Sequence, residues 1–230
     1  ANFVKSNCEF ASVSSIGCSI NFNFSKRLQS SSASLAYFRS DSETHFDNSF
    51  FGNNPKQNSD QEQLNFTYDV NLGSDNNVKV TYDNSRINLR YNYGQFFETK
   101  EEKIALRNDI RLSNDDNFLI GLEKRSIDRS PSSSGVRSRD FESFFVAFLG
   151  DRGPISLQAN LRSDTTNQFK SRVTYLTGIR YLFAPHHSLY FNHSTGFISP
   201  NTYALSTNPG VLPEEHEQFE FGYTFLRNSL

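Results

Sequence analysis

The 230-residue chain carries a net charge of −2, which gives no electrostatic footprint for nucleic acid. Only 36% of it is hydrophobic, low for a packed globule, yet 14% is aromatic, with 23 Phe, 10 Tyr and no Trp. No run approaches the roughly 18 apolar residues of a membrane helix, and no secretory leader is visible at Ala1; with no Met, the chain is expected to be an internal piece of a longer one.

The pattern has period two almost throughout. Cys8 and Cys18 flank a Ser-rich segment expected to be a polar loop, where an even count is compatible with a disulfide or with two thiols. Ile20, Phe22 and Phe24 then alternate with Asn21, Asn23 and Ser25, so one face is apolar and the other wet. After a turn at Gln29–Ser32, a return strand is expected at Ala33–Arg39, followed by a long polar loop at Asp41–Gln61. Leu64, Phe66, Tyr68, Val70 and Leu72 form a second apolar face against Asn65, Thr67 and Asp69. Gly73–Asn77 is a turn, Val78, Val80 and Tyr82 open the next strand, and Asp83–Gln95 is mixed.

Ile104, Leu106, Ile110 and Leu112 recur at even spacing, and Phe118, Ile120 and Leu122 follow a turn at Ser113–Asp116. A second long loop is expected at Ser126–Ser138 and a strand at Phe141–Leu149. Ile155, Leu157, Ala159 and Leu161 alternate after a turn at Gly150–Pro154, and Phe169 to Phe183 reads as a long strand. Ala184–His187 turns, and Leu189 and Phe191 lead on. The sum is about eleven strands in one all-β antiparallel meander. Short turns alternate with longer connections, the pattern of a transmembrane β-barrel with short turns at one end and long loops at the other.

Chemistry-bearing residues are few. In Asn192-His193-Ser194 the neighbours point to opposite faces of a strand, so His193 cannot serve Ser194 as a triad base. His186-His187 is expected at a polar turn, and Glu214, Glu215 and Glu217 on a solvated loop. No EF-hand, zinc spacing or phosphate loop is present. The sequence predicts no catalytic residues, no metal and no cofactor.

The densest signal runs from Gly196 to Tyr223, between two alternating segments. It holds Gly196, Phe197, Pro200, Asn201, Leu205, Asn208, Pro209, Leu212, Pro213, Glu214, Glu220, Gly222 and Tyr223. Proline lacks an N–H and does not fit a central ladder, so Pro200 and Pro213 are expected to end pairing on either side of a loop. This ordered set resembles the mid-barrel signature of TonB-dependent outer-membrane receptors, with Ser199 where that family usually has Ala. Arg39-Ser40-Asp41 and Arg162-Ser163-Asp164, the latter ahead of Asn167-Gln168-Phe169, are similar to strand ends of the cobalamin-transporter branch.

The resemblance covers roughly Ser19 to Phe225 and implies that residues 1–230 are part of a larger barrel in the bacterial outer membrane, without the N-terminal plug domain. It implies active uptake of a large scarce nutrient, cobalamin first and a ferric siderophore next. It also implies contact with outer-membrane lipid, and a TonB complex that acts through the missing N-terminal segment. It places the cysteine segment outside the cell and so favours a Cys8–Cys18 disulfide. A passive porin-like barrel and an outer-membrane enzyme are the competing classes. On this reading Ile20, Leu64, Phe66, Val70, Val173, Ile179 and Phe221 face lipid, and Asn21, Asn65, Thr67, Asp69 and Glu220 face the lumen. A piece with two unpaired edges is expected to aggregate alone.

Overall fold

The computed structural model describes residues 3–12, 15–45, 55–131, 138–200, 202–208 and 210–226. Among them twelve strands form one sheet in which every strand pairs antiparallel with its neighbours in sequence. The strands are β1 (Phe3–Ser12), β2 (Ser15–Arg27), β3 (Ser31–His45), β4 (Lys56–Asn71), β5 (Asn76–Tyr91) and β6 (Phe96–Arg111). They continue with β7 (Asp116–Pro131), β8 (Ser138–Arg152), β9 (Ile155–Thr166), β10 (Arg172–Ala184), β11 (His187–Ile198) and β12 (Glu214–Phe225). One short helix, α1 (Thr202–Thr207), precedes β12. β1 and β12 do not pair, so among the described residues the sheet is open.

The meander is the expected one with a strand added. β1 lies where a polar cysteine loop was expected, and Cys8 and Cys18 stand opposite each other in the β1–β2 register. Cys18 is disulfide-bonded. Backbone pairing in an antiparallel ladder does not require apolar side chains, so a Ser-rich stretch can form strands. The pairing of Cys18 with Cys8 is our proposal. Closing so short a loop restricts the unfolded chain and is expected to contribute about 2–3 kcal/mol. Thiol labelling of the unreduced, unfolded protein should find no reactive cysteine, and two labelled thiols would exclude the bond.

The same cause explains the other boundary differences. β3 to β8 have 15 or 16 residues each, whereas a tilted strand needs about 9–11 to cross the hydrocarbon. The surplus lies at the long-loop end, where alternation fades because neither face meets lipid. β3 therefore continues through Asp41 to His45, and β7 continues past Ser126 to Pro131. Of the two long loops expected, residues 46–54 and 132–137 lie outside the described residues. The mixed segment Asp83–Gln95 resolves into strand up to Tyr91 and a tight turn, in which the Gly94 N–H donates to the Tyr91 carbonyl at 3.1 Å. Phe169 sits outside β10, with its ring 5.9 Å from that of Phe197.

Register divides the residues into two faces as expected. Ile20, Leu64, Phe66, Val70, Val173, Ile179 and Phe221 share the outward face, and Asn21, Asn65, Thr67, Asp69 and Glu220 the inward one. A hydrogen-bonded row does not keep one chemistry, however. On the outward face Leu35, Phe66, Tyr82 and Ile104 align with Lys124, Glu142 and Thr165. Another row starts at Asp116 and Gly150 and ends on Leu157, Ile179, Phe191 and Phe221. Rows run perpendicular to the strands, so in a barrel with tilted strands they cut across the membrane from water into lipid. The apolar band steps along the strands instead.

Candidate functional site: the inner wall and the β11–β12 loop

The inward face carries networks of polar and charged groups. Asn65 donates to Asp83, whose carboxylate also meets Lys103 at 3.0 Å. Lys79 lies 3.6 Å from Asp69, and Asn77 donates to Asp69 at 2.8 Å and to Asn71 at 2.9 Å. The densest node is at Arg162. Its Nε donates to both oxygens of Asp164 (2.9 and 3.0 Å), and its Nη2 donates to Glu123 (3.1 Å) and to the Ser143 hydroxyl (2.8 Å). Ser143 in turn donates to Asp164 at 2.5 Å, and both are buried. Register explains the convergence, since Glu123, Ser143 and Asp164 occupy one row of β7, β8 and β9.

Arg39-x-Asp41 and Arg162-x-Asp164 look alike in sequence, and each forms an ion pair two residues apart along its strand. They occupy opposite faces. Arg39 and Asp41 are outward on β3, where Arg39 also reaches Glu62 at 3.0 Å, whereas Arg162 and Asp164 are inward on β9. Sequence reasoning missed a third such pair, Arg107-x-Asp109 on the inner wall, with its shortest contact at 2.6 Å. The repeated Arg-x-Asp spacing was the signal for it. Above the lipid band, a hydrogen bond between Asp41 and Asp60 shapes their titration. It lowers Asp41, with help from Arg39, and raises Asp60 from its ordinary value, with burial adding to the rise.

The signature stretch forms the connection from β11 to β12. β11 ends at Ile198, and the Pro200 carbonyl accepts a 2.5 Å hydrogen bond from Arg139 Nη2. The chain then makes the short helix α1, not expected from the sequence because no apolar period of useful length marks it. Leu205 is its anchor, 4% exposed. Asn208 closes the turn. Its N–H donates to the Ala204 carbonyl (2.8 Å), and its side-chain oxygen accepts from the Gly210 N–H (3.0 Å). That is the Asx geometry that makes Asn a turn residue. Leu212 is 72% exposed, Pro213 is buried, and β12 starts at Glu214. Asn201 and Pro209 lie outside the described residues.

Gly196 and Gly222 are inward positions covered by rings of the neighbouring strand. A Cβ at Gly222 would overlap Tyr190, and one at Gly196 would overlap the His216 ring. Tyr190 lies flat and donates from its hydroxyl to Glu220 at 3.2 Å, and Asn192 donates to the same carboxylate at 3.1 Å.

Two histidines of β11 stack on aromatic rings of β12. His193 is outward, stacked on Phe219 with ring centroids 4.1 Å apart and hydrogen-bonded to Glu217 at 2.7 Å, whereas Ser194 is inward. His187 stacks on Phe225 at 4.8 Å and meets the Tyr223 hydroxyl at 2.5 Å, within an aromatic cluster at the short-turn end.

Residues 12–230 match the family model described as TonB dependent receptor-like, beta-barrel. A vitamin B12 transporter, BtuB of Vibrio vulnificus (strain CMCP6), is 30% identical over 111 residues, which cover 48% of this chain and 17% of that protein. Among solved structures, the FrpB iron transporter of Neisseria meningitidis (F3-3 variant) has a similar fold, with a TM-score of 0.79 at 12% identity. That likeness covers 93% of this chain and 43% of FrpB. The siderophore receptor PirA of Pseudomonas aeruginosa is similar with a TM-score of 0.77 at 11% identity, over 97% of this chain and 48% of PirA. The chain thus spans less than half the length of each.

Proposed function

Because the chain belongs to the TonB-dependent receptor family, whose members are bacterial outer-membrane β-barrel receptors and transporters, we propose that it forms part of the barrel of a receptor that takes up a large scarce nutrient. The observation that carries this reading is the family match across residues 12–230. The open meander with short turns at one end agrees with it. On this reading the barrel lies in the outer membrane, the long-loop end faces out of the cell, and the inner wall borders the path that a plug closes. Force from TonB reaches that plug through sequence N-terminal to this chain. No catalytic role is assigned to any residue.

Cobalamin is the ligand we propose first, supported by the likeness to a vitamin B12 transporter and by the Arg-x-Asp pairs at Arg39 and Arg162. A ferric siderophore is second, since similar folds include an iron transporter and a siderophore receptor. We assign Pro200, Asn208, Pro213, Glu214 and Glu220 a structural role in the loop and the start of β12, supported by the hydrogen bonds of Pro200, Asn208 and Glu220 and by the place of Pro213 and Glu214 where β12 begins. Deleting the full-length gene is expected to stop growth on limiting cobalamin and to leave growth on limiting iron unchanged. The reverse result would move the assignment to a siderophore, and unimpaired growth on both would exclude either ligand. Uptake that persists without TonB would leave a passive pore.

A further inference from the structure

Above the lipid band, one row of the outward face collects oxygen donors. Asp41 of β3 stands opposite Asp60 of β4, Asp60 opposite Asn88 of β5, and Asn88 opposite Glu98 of β6. Other carboxylates around this row are neutralised. Glu98 is paired with Arg86 at 2.6 Å and Lys100 at 3.4 Å, Glu62 with Arg39 at 3.0 Å, and Glu43 with Lys56 at 3.1 Å. Arg39 reaches Asp41 at the longer distance of 3.3 Å. Asp60 forms no ion pair among the described residues.

Two needs are left open in this row. Asp41 and Asp60 hydrogen-bond to each other, so one of them has to keep a proton, and Asp60 is raised by that bond and by burial. Asn88 is 8% exposed, and its Oδ1 is sealed from solvent without a hydrogen-bond partner. A buried acceptor left unpaired is costly in a native fold. The carboxylates on either side of it cannot help, because an ionised carboxylate has no proton to donate. A cation satisfies the pair and the amide oxygen together.

We propose that Asp41, Asp60 and Asn88 bind a divalent cation, calcium in preference to magnesium, on the outer surface of the barrel wall. Carboxylate and amide oxygens are hard donors that suit either ion. Neighbouring strands lie about 4.8 Å apart, so the side chains of Asp41 and Asn88 can reach over Asp60 to an ion about 2.4 Å from each oxygen. Ligands placed by strand register do not make a regular octahedron. Calcium tolerates that irregularity and magnesium does not, and water fills the remaining positions. Arg39 keeps Glu62 when Asp41 turns to the ion. No motif announces the site, because its ligands lie on three different strands. The inference goes beyond the uptake reading, since it concerns neither the nutrient nor the lumen.

The test titrates calcium calorimetrically into the full-length receptor, stripped with a chelator and held in a zwitterionic detergent. The unaltered receptor is expected to bind one equivalent more than Asp60→Asn, with a dissociation constant of about 10⁻⁴–10⁻³ M, the range of extracellular calcium modules. Asn88→Ala should weaken that equivalent about ten-fold. Asp128→Asn removes another outward carboxylate above the lipid band, on β7, and should change nothing. Heat-modifiable gel migration checks that each variant is a folded barrel, and Asp41→Asn takes the place of any that is not. Equal stoichiometry with and without Asp60 would overturn the proposal. So would a loss in D128N as large as that in D60N, which would mean diffuse attraction. A loss in D60N with none in N88A would remove the amide ligand and overturn the three-residue site. Displacement of calcium by an equal concentration of magnesium would overturn the preference. Neither TonB nor a nutrient enters the assay, so failure here and failure of the uptake reading are distinguishable.

Discussion

Ile179→Arg is expected to destabilise the intact barrel by about 2–4 kcal/mol, the cost of a guanidinium on the lipid face near mid-membrane. Leu176→Arg, on the same strand, should cost less than about 1 kcal/mol because it turns into the wet interior. Ile179 is outward and 43% exposed, in a row with Leu157, Phe191 and Phe221. Leu176 faces the other way, level with Asn160 and Ser194. The chain already carries Arg180 on the inward face, one residue from Ile179. Reversible unfolding of the full-length receptor from lipid vesicles measures both costs. Equal costs would show that the two faces have been assigned wrongly.

Arg162→Ala is expected to cost about 1.5–3 kcal/mol, the range for hydrogen bonds to charged groups. The guanidinium serves Asp164, Glu123 and Ser143 at once, and its removal leaves two carboxylates facing each other across a partly buried node. It also strips the cation from the Phe145 ring, 5.6 Å away, which covers Gly121. Glu123→Ala added to Arg162→Ala should recover part of the loss, because one of the stranded charges goes with it. If the double variant shows only additive losses, the node does not act as a unit. Arg39→Ala, whose partners Asp41 and Glu62 are exposed, should cost under about 1 kcal/mol.

The amino-acid sequence by itself determined the fold class and the family. Hydrocarbon demands an apolar side chain at every second residue of a crossing strand, so Leu64 to Leu72 and Ile155 to Leu161 were legible as strands with a lipid face. Proline and the Asn208 turn marked where β11 ends and β12 begins. The physics of lipid stops at the membrane surface, and so did legibility. Past Arg39 and Lys124 both faces are wet, alternation no longer reports pairing, and strands that continue to His45 and Pro131 read as loops. The short helix at Thr202–Thr207 was hidden for a related reason: six residues anchored by Leu205 are too few to show a period.

Tertiary structure alone decided register, and register decided which charges meet. Two Arg-x-Asp motifs of the same spelling fell on opposite faces because β3 and β9 enter the sheet in opposite phase. Glu123, Ser143 and Asp164, far apart in the chain, came into one row beside Arg162. Arg129 and Arg139 became neighbours across the β7–β8 pair. A side chain on a strand has its face set by its neighbours two residues away, but its partners are set by the stagger of the adjacent strands, a property of the closed tilt of a barrel that no single strand carries.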